Sequence, residues 1–493
     1  MGRKEKNLYK AFDIKHKEII DVREIGYYST PDFVAKYIGE RMLEINNEGK
    51  TLLDPCCGKE ELIDYFLDFE IKTFGIDIIR YKEKYKCNFK EKNFINYYCE
   101  EKNKKPWIYD YYIVNPPYNC HEVNFIKKNK NKLKKYFKEV GLHNTYSMFL
   151  YSLIDKAKRG AIIGIITNDS FFTAKNHKGL REKILRDCSI YEITMCPREL
   201  FFNQGADVRT SILILRKGKE YQGKVVVNNR SKSILDFKEL LIKKSREKYK
   251  NYDIKDLILK NKKDNLEFLI ECPKDVHKLF NNLRLGEVFK CITGISTGND
   301  RKYLRKIKGE NFLVPFYKNP GKDKFYTSRI IYLHKDFLNI DKENKNFNVR
   351  NKDFLYKGGI TCSSIGVSFN ACLLPKNAVF GVNPNIICDL EDVWWLLAYL
   401  NSSLVTYLVR GVLIRSNMIT SGYVSRIPLL NFNKEEKLRL AILSQRAYLL
   451  RKEKLNIDKE LLEIDSIVNH VAKISEESKK IILNFKKYLV KIT

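Results

Sequence analysis

Residues 111–118 read YYIVNPPY, four apolar residues running directly into Asn115-Pro116-Pro117-Tyr118. That tetrapeptide delivers an amide, a stiff carbonyl turn and an aromatic ring together. Asn115 Oδ1 and the Pro116 carbonyl can accept both hydrogens of an exocyclic amine, while Tyr118 stacks on the ring that carries it. Pro116 and Pro117 have no N–H to compete for that site, and they fix the direction of the carbonyl. Two prolines can also simply end a strand in a rigid turn. Placement separates the two readings, because ligands of open α/β sheets bind outside the carboxyl ends of the strands.

Three further spots lie at the ends of apolar runs. Asp54-Pro55-Cys56-Cys57-Gly58 forms a small-residue turn after residues 51–53, Asp77 closes the run Phe74-Gly75-Ile76, and Asn93-Phe94 ends a third. A carboxylate at such a strand end takes ribose hydroxyls in dinucleotide folds, and the geometry serves any adenosine cofactor. Asn93 can read an adenine edge and Phe94 can stack on its face. Singly these are a helix cap, a surface acid and a core phenylalanine. In this order they describe a nucleoside pocket beside the Asn115 turn.

The elements that must position these residues follow an α/β rhythm. Strands are expected at 51–54, 72–77, 111–114, 161–167, 191–196 and 210–215, with helices over 60–69 and 148–157, where apolar residues recur at three- and four-residue spacing. The pattern breaks near Lys217. Residues 1–220 read as one Rossmann-like domain, 221–265 as a polar linker with some helix, and 266–432 as a mixed α/β domain. Residues 433–493 are charged and helical, a helical hairpin closing the second domain.

Composition narrows the partners. The 493 residues hold 91 Lys and Arg against 60 Asp and Glu, a net charge of +31. Heavy use of Lys, Asn, Ile and Tyr fits an AT-biased coding sequence, but that bias does not account for the positive excess, and a nucleic-acid partner is expected. The 12 cysteines contain no C-x-x-C pair and the 7 histidines complete no ligand set, so reduced thiols and no structural metal are expected. No run of roughly 18 apolar residues appears, and the start MGRKEKNLYKAF has no apolar stretch behind its basic residues. These readings lead to a cytoplasmic protein with no membrane partner.

The motifs together resemble the gamma-class DNA adenine-N6 methyltransferases, the Taq-type and Eco-type restriction–modification enzymes that use S-adenosyl-L-methionine. The resemblance covers nearly the whole chain. Tyr28-Ser29-Thr30-Pro31 is similar to the family's N-terminal cofactor motif, which implies that Ser29, Thr30 and Pro31 bind cofactor. By the same resemblance Asp54, Pro55, Cys56 and Gly58 form the methionine-binding loop. Asp77 with Ile78 takes the ribose side, and Asn93 and Phe94 take the adenine. Asn115, Pro116, Pro117 and Tyr118 match the catalytic motif without change. Residues 144–149 resemble the helix after it, and 165–171 the later strand and turn. Phe202 matches the phenylalanine that lies against the flipped target adenine, opposite Tyr118. Two departures stand out: Lys59, Glu60 and Glu61 follow Gly58 where the family has small residues, and Asn93 replaces an aspartate.

The second domain resembles the family's target-recognition domain, with an opening loop at 293–300, a helix ending in Leu400-Asn401-Ser402, and the stretch Arg426-Ile427-Pro428-Leu429. The resemblance implies double-stranded DNA contacts through Ser296, Thr297 and Asn299, and the basic run 127–138 adds phosphate contacts from Lys127 and Lys128. It implies a monomeric modification enzyme with a separate restriction endonuclease, or an orphan methylase. RNA and protein-glutamine methyltransferases share the Asn-Pro-Pro-Tyr motif, but a long domain with a recognition pattern argues against them. A catalytically inactive specificity protein would be expected to have lost Asn115 or Tyr118. The stretch before Tyr28 is too short for a fused nuclease, so cleavage by this chain alone is not expected.

Overall fold

The computed structural model describes residues 8–9, 20–21, 27–118, 124–204, 208–219, 223–242, 246–247, 249–261, 264–414 and 418–490. The opening residues 1–7, read above for targeting signals, and parts of the lysine runs near 243–248 and 262–263 lie outside them. The chain divides into two compact units, residues 1–260 with 265–271, and residues 261–264 with 272–493.

The main sheet of the first unit has, among the described residues, nine strands: β1 Thr51–Asp54, β2 Lys72–Asp77, β3 Asn88–Glu91, β4 Tyr111–Val114, β5 Ile162–Asn168, β6 Cys188–Met195, β7 Thr210–Lys217, β8 Val225–Asn228 and β9 Lys250–Tyr252. Their spatial order is β9-β8-β6-β7-β5-β4-β1-β2-β3. The run β5-β4-β1-β2-β3 is parallel, and β7 is antiparallel to both its neighbours. All four residues of β4 are buried, as a strand covered on both faces requires. Alternation then divides each central strand between two cores. Leu53, Tyr112 and Val114 join the helices α2 Phe94–Glu101, α3 Thr145–Lys156 and α4 Lys178–Asp187 on one side. Leu52, Tyr111 and Ile113 join Val34, Ile38 and Met42 of α1 Asp32–Ile45 on the other.

Two sequence expectations need correction here. The helix expected over 60–69 is a series of turns and a short 3₁₀ segment, Asp64–Asp68. Glu60 has φ 74°, a left-handed conformation that an α-helix does not admit. The stretch 221–265, read as a polar connection, supplies β8 and β9 to the sheet. Its outermost strand reads like a linker because an edge strand keeps Lys250 and Asn251 in solvent.

The second unit holds two four-stranded sheets. One is ordered β10 Lys290–Ile292, β17 Asn385–Ile387, β14 Gly359–Cys362, β15 Ala371–Leu374; the other β11 Leu304–Arg305, β13 Ile330–His334, β12 Phe312–Tyr317, β16 Val379–Phe380. Helix α5 Leu390–Leu400 follows, and its terminal Asn401 exchanges two hydrogen bonds with Ala371 of β15, at 3.1 and 2.9 Å. The Leu-Asn-Ser motif thus fastens a helix end to a sheet. The C-terminal stretch is three helices rather than a hairpin: α6 Lys434–Lys452, α7 Asp458–Val471 and α8 Glu476–Val490. Asn433 and Glu436 close a reciprocal capping box at the start of α6. Among the described residues no single helix is long and apolar enough to cross a membrane.

Candidate active site

The chemistry-bearing residues meet at the carboxyl ends of β4, β1 and β2. Asn115 leaves β4 half-buried, and its amide is held from both sides. Nδ2 donates to the Tyr28 carbonyl at 2.9 Å and to Thr30 Oγ1 at 3.0 Å. A carbonyl only accepts, so this pair fixes which end of the amide is nitrogen. Oδ1 accepts from the Tyr118 hydroxyl at 2.6 Å. Burial holds the Tyr118 phenol above its ordinary pKa, so it is a neutral donor. Pro116 is buried, and Cys56 donates its thiol to the Asn115 carbonyl at 3.3 Å, stitching the turn after β1 to the turn after β4. Burial raises the Cys56 thiol as well, which keeps it a donor rather than a thiolate nucleophile.

The turn after β1 is organised by carboxylates. Asp54 is buried and accepts from the Cys56 N–H at 3.0 Å; burial pushes its carboxyl well above the usual range, and the charge of Asp77 adds to the shift. Asp77 accepts from the N–H groups of Gly58 at 2.9 Å and Ile79 at 3.2 Å. Burial outweighs those bonds, and the Asp77 carboxyl is pushed up to about 6. Gly58 sits at φ 50°, where a Cβ would come within 2.5 Å of the Tyr27 ring. Pro55 fills the turn between Asp54 and Cys56, and Ile78, beyond Asp77, leaves 47% of its surface in solvent.

Glu60 and Glu61, the departures noted in the sequence, have separate structural positions. The Glu60 carboxylate accepts from the N–H groups of Lys86 and Cys87 at 2.9 and 2.8 Å and pairs with Lys82 at 2.5 Å. Burial opposes its charge, but the Lys82 contact and the Cys87 N–H more than offset that, and its pKa is lowered. Glu61 accepts from the Tyr27 hydroxyl and, at 2.8 Å, from Ser29 Oγ. Ser29 is further clamped by Gln204, which accepts from its N–H at 2.6 Å and donates to its carbonyl at 2.7 Å. Thr30 is buried against Asn115, and Pro31 occupies the N-cap position of α1.

The aromatic residues of the site lie in two places. The rings nearest Tyr118 are Tyr28, stacked at 5.9 Å between centroids, and Phe201, tilted at 6.3 Å. Phe202 lies under Arg198, whose guanidinium carbon is 5.7 Å from its ring centroid. Asn93 accepts from the Asn96 N–H at 3.0 Å as the N-cap of α2. Phe94 is 2% exposed and packs on Phe149 and Trp107 at 4.8 and 5.8 Å.

The sequence-based DNA contacts sit elsewhere. Lys127 and Lys128 are exposed in the last turn of the short helix Asn124–Lys128. In the second unit, Ser296 pairs with Asn348 through backbone bonds, Thr297 Oγ1 donates to Asp300 at 2.5 Å, and Asn299 caps the helix Asp300–Tyr303. Tyr28 opened a motif already quoted and Glu61 stood among the departures, but neither was expected to hold a partner in the site. Phe201 and Gln204 join it without having been singled out, and no local signal marked them.

Residues 78–288 match the family model N-6 DNA Methylase. The match includes the Asn115 turn and begins one residue after Asp77. Type II methyltransferase M.HincII of Haemophilus influenzae is 26% identical over 218 residues, 42% of this chain and 40% of the relative. Type II methyltransferase M.HindII of Haemophilus influenzae (strain ATCC 51907 / DSM 11121 / KW20 / Rd) is 26% identical over 42% of this chain and 39% of its own length. The matched region thus spans about two fifths of these relatives. Among solved structures, the DrdV–DNA complex superposes with a TM-score of 0.55 at 13% identity, covering 87% of this chain and 58% of that one. The Type IIL restriction–modification enzyme MmeI in complex with DNA gives 0.55 at 10% identity, covering 93% and 75%. These likenesses establish the fold: a largely parallel α/β sheet followed by a mixed α/β unit and a helical C-terminus.

Proposed function

We propose that this chain, whose residues 78–288 are of the N-6 DNA methylase family, is a site-specific methyltransferase that transfers a methyl group from S-adenosylmethionine to the exocyclic amine of an adenine in double-stranded DNA. The observation that carries this reading is the orientation of Asn115. Its Nδ2 is spent on Tyr28 and Thr30, which leaves Oδ1 as a fixed acceptor at the end of the central strand. In the free protein the Tyr118 hydroxyl donates to that oxygen, and a target amine would take its place.

The chain's residues suit the cofactor. Asp77 offers a carboxylate at a strand end beside the Gly58 N–H, and the exposed face of Ile78 offers an apolar wall to a purine. Glu61 adds a carboxylate near the same loop, matching a cationic sulfonium, while Asp54, held towards its neutral form by burial, organises the turn through the Cys56 N–H. Ser29, Thr30, Pro31, Pro55 and Cys56 shape the loop, while Asn93 faces the adenine edge and Phe94 backs it from the core. Bound there, S-adenosylmethionine supplies an electrophilic methyl group.

The amine of adenine is a poor nucleophile because its lone pair is delocalised into the ring. Asn115 Oδ1 and the Pro116 carbonyl accept its two hydrogens and turn the lone pair towards the methyl carbon. Positive charge grows on the nitrogen as it attacks, and both acceptors then bind it more strongly than before. Pro117 keeps the turn rigid. Tyr118, released from Asn115, stacks on the extruded base, with Phe202 on its other side, against an unstacking cost of roughly a few kcal/mol. Lys127 and Lys128 neutralise phosphates, and Ser296, Thr297 and Asn299 lie in a recognition loop. A restriction endonuclease encoded separately completes the restriction–modification reading.

Single-molecule sequencing of DNA from cells expressing the chain tests this directly. N6-methyladenine is expected in one sequence motif, and none with Asn115→Ala. Unmodified DNA from the wild-type strain, or modification that persists in the variant, would overturn it.

A further inference from the structure

The C-terminal helix α6 buries Leu440, Leu443, Ser444 and Ala447 within the second unit. Its opposite side is exposed and carries large apolar residues: Leu438 is 62%, Ile442 55% and Leu449 58% in solvent. Single exposed leucines are ordinary on protein surfaces, but these three are in register. Glu435, Leu438, Ile442, Gln445, Leu449 and Lys452 are all exposed and spaced alternately three and four residues apart. That is the seam of a two-stranded coiled coil.

The seam is self-complementary when reversed. About a dyad between residues 443 and 444, an antiparallel copy sets Leu438 against Leu449, Ile442 against Gln445, and Glu435 against Lys452. In a parallel copy, by contrast, Glu435 meets Glu435 and Lys452 meets Lys452. The antiparallel pairing also opposes the two helix dipoles, with Glu435 in the first turn and Lys452 in the last. A two-fold interface has this property, since each residue contacts its counterpart's partner in both copies. Nearest the dyad, Arg446 is paired with Glu460 of α7 at 2.9 Å, which neutralises one positive charge beside the seam.

We infer that the chain forms a two-fold homodimer through antiparallel pairing of α6, in place of the monomer expected from the sequence. The seam is short, so the association is concentration-dependent. The inference stands on the exposed seam and its charges, independently of the catalytic assignment.

Sedimentation equilibrium of the full chain over a range of concentrations tests it. The mass should rise from one chain to two as concentration increases. The double variant Leu438→Asp/Leu449→Asp should remain at one chain mass while its far-ultraviolet circular dichroism stays unchanged, because both positions are in solvent. Glu435→Lys and Lys452→Glu should each weaken the dimer, and the combined Glu435→Lys/Lys452→Glu should restore it. A wild-type chain that is monomeric at every concentration would overturn the proposal. So would a dimer indifferent to the aspartate pair, or single charge reversals that the combination does not rescue.

Discussion

The turns after β1 and after β4 are neighbours at the carboxyl edge of one sheet, joined by the bond from Cys56 to the Asn115 carbonyl. They present polar atoms by different chemistry. The β4 turn uses an amide, two prolines and a phenol, none of which titrates near neutral pH. The β1 turn uses Asp54, Glu60 and Asp77, whose protons depend on burial and on backbone N–H partners. The family match includes the first arrangement and begins just past the second. One sheet edge thus carries a turn whose polar groups are independent of pH beside one whose charge depends on it.

The largest expected effect lies in the amide turn. Asn115→Ala removes an acceptor aimed at developing charge, and methyl transfer should fall about 10²–10³-fold or more while DNA binding persists. A tritiated-methyl assay beside a gel-shift titration checks both halves; near-normal turnover would erase the contrast between the turns.

Next comes the carboxylate wall. Asp77→Ala should weaken S-adenosylmethionine binding by about 1.5–3 kcal/mol, measured by calorimetry, through loss of charge-assisted ribose bonds. The wild-type protein adds a pH signature. With its carboxyl at about 6 in the folded protein against an ordinary value of 3.8, Asp77 binds a proton more readily folded than unfolded between these values. Its contribution to the stability of the free protein is therefore present at low pH and lost as pH rises through about 6. Cofactor affinity should run the other way, strengthening as the carboxylate ionises. Asp77→Asn should flatten the affinity profile; a profile that stays steep would assign the titration to another group.

A third prediction concerns the rings. Tyr118→Ala should cost about 1–3 kcal/mol in productive DNA binding, as loss of base stacking does. Tyr118→Phe keeps the ring and removes the hydroxyl that occupies Asn115 Oδ1, so KM for DNA should fall with kcat little changed. Phe202→Ala should impair turnover with thermal stability little changed, whereas Phe201→Ala, at a fully buried ring, should lower stability. Turnover unaffected by Phe202→Ala would remove that ring from the base site.

The smallest effect is expected at Glu60. Glu60→Gln keeps the side chain's shape but loses its charge on Lys82, for a stability loss of about 1 kcal/mol by thermal unfolding at neutral pH. Because the folded pKa of Glu60 is lowered, its contribution is present above the unfolded value and lost as pH falls through the lowered one. The difference between wild type and variant should therefore shrink in acid. A gap that widens there would mean that the clamp does not depend on charge.

Much of the site was legible because its parts occupy ends of local elements. Asn115 follows four buried residues and Asp77 closes a strand, and both features rest on short-range pattern. The β-strand expectations agree closely with β1, β2 and β4 for the same reason. The helix over 60–69 failed because its apolar spacing was genuine but Glu60 entered it with a positive φ. That conformation is held by N–H groups at positions 86 and 87, out of reach of any local reading. Strand β9 was missed because an edge strand needs little apolar sequence.

The sequence by itself determined the α/β alternation, the strand whose end carries Asn115, and the chemistry an amide, two prolines and a phenol can offer there. Those follow from side-chain periodicity and from the restricted backbone of proline, which act within a few residues. Only the tertiary structure decided which way the Asn115 amide faces, since its partners Tyr28 and Thr30 are 87 and 85 residues away. It also decided that Gln204 clamps Ser29 and that Glu60 serves a neighbouring loop. Each of these depends on which buried donor finds which acceptor once the sheet has closed. Burial makes an unpaired polar group costly, so the fold as a whole, and not the local chain, selects the partner.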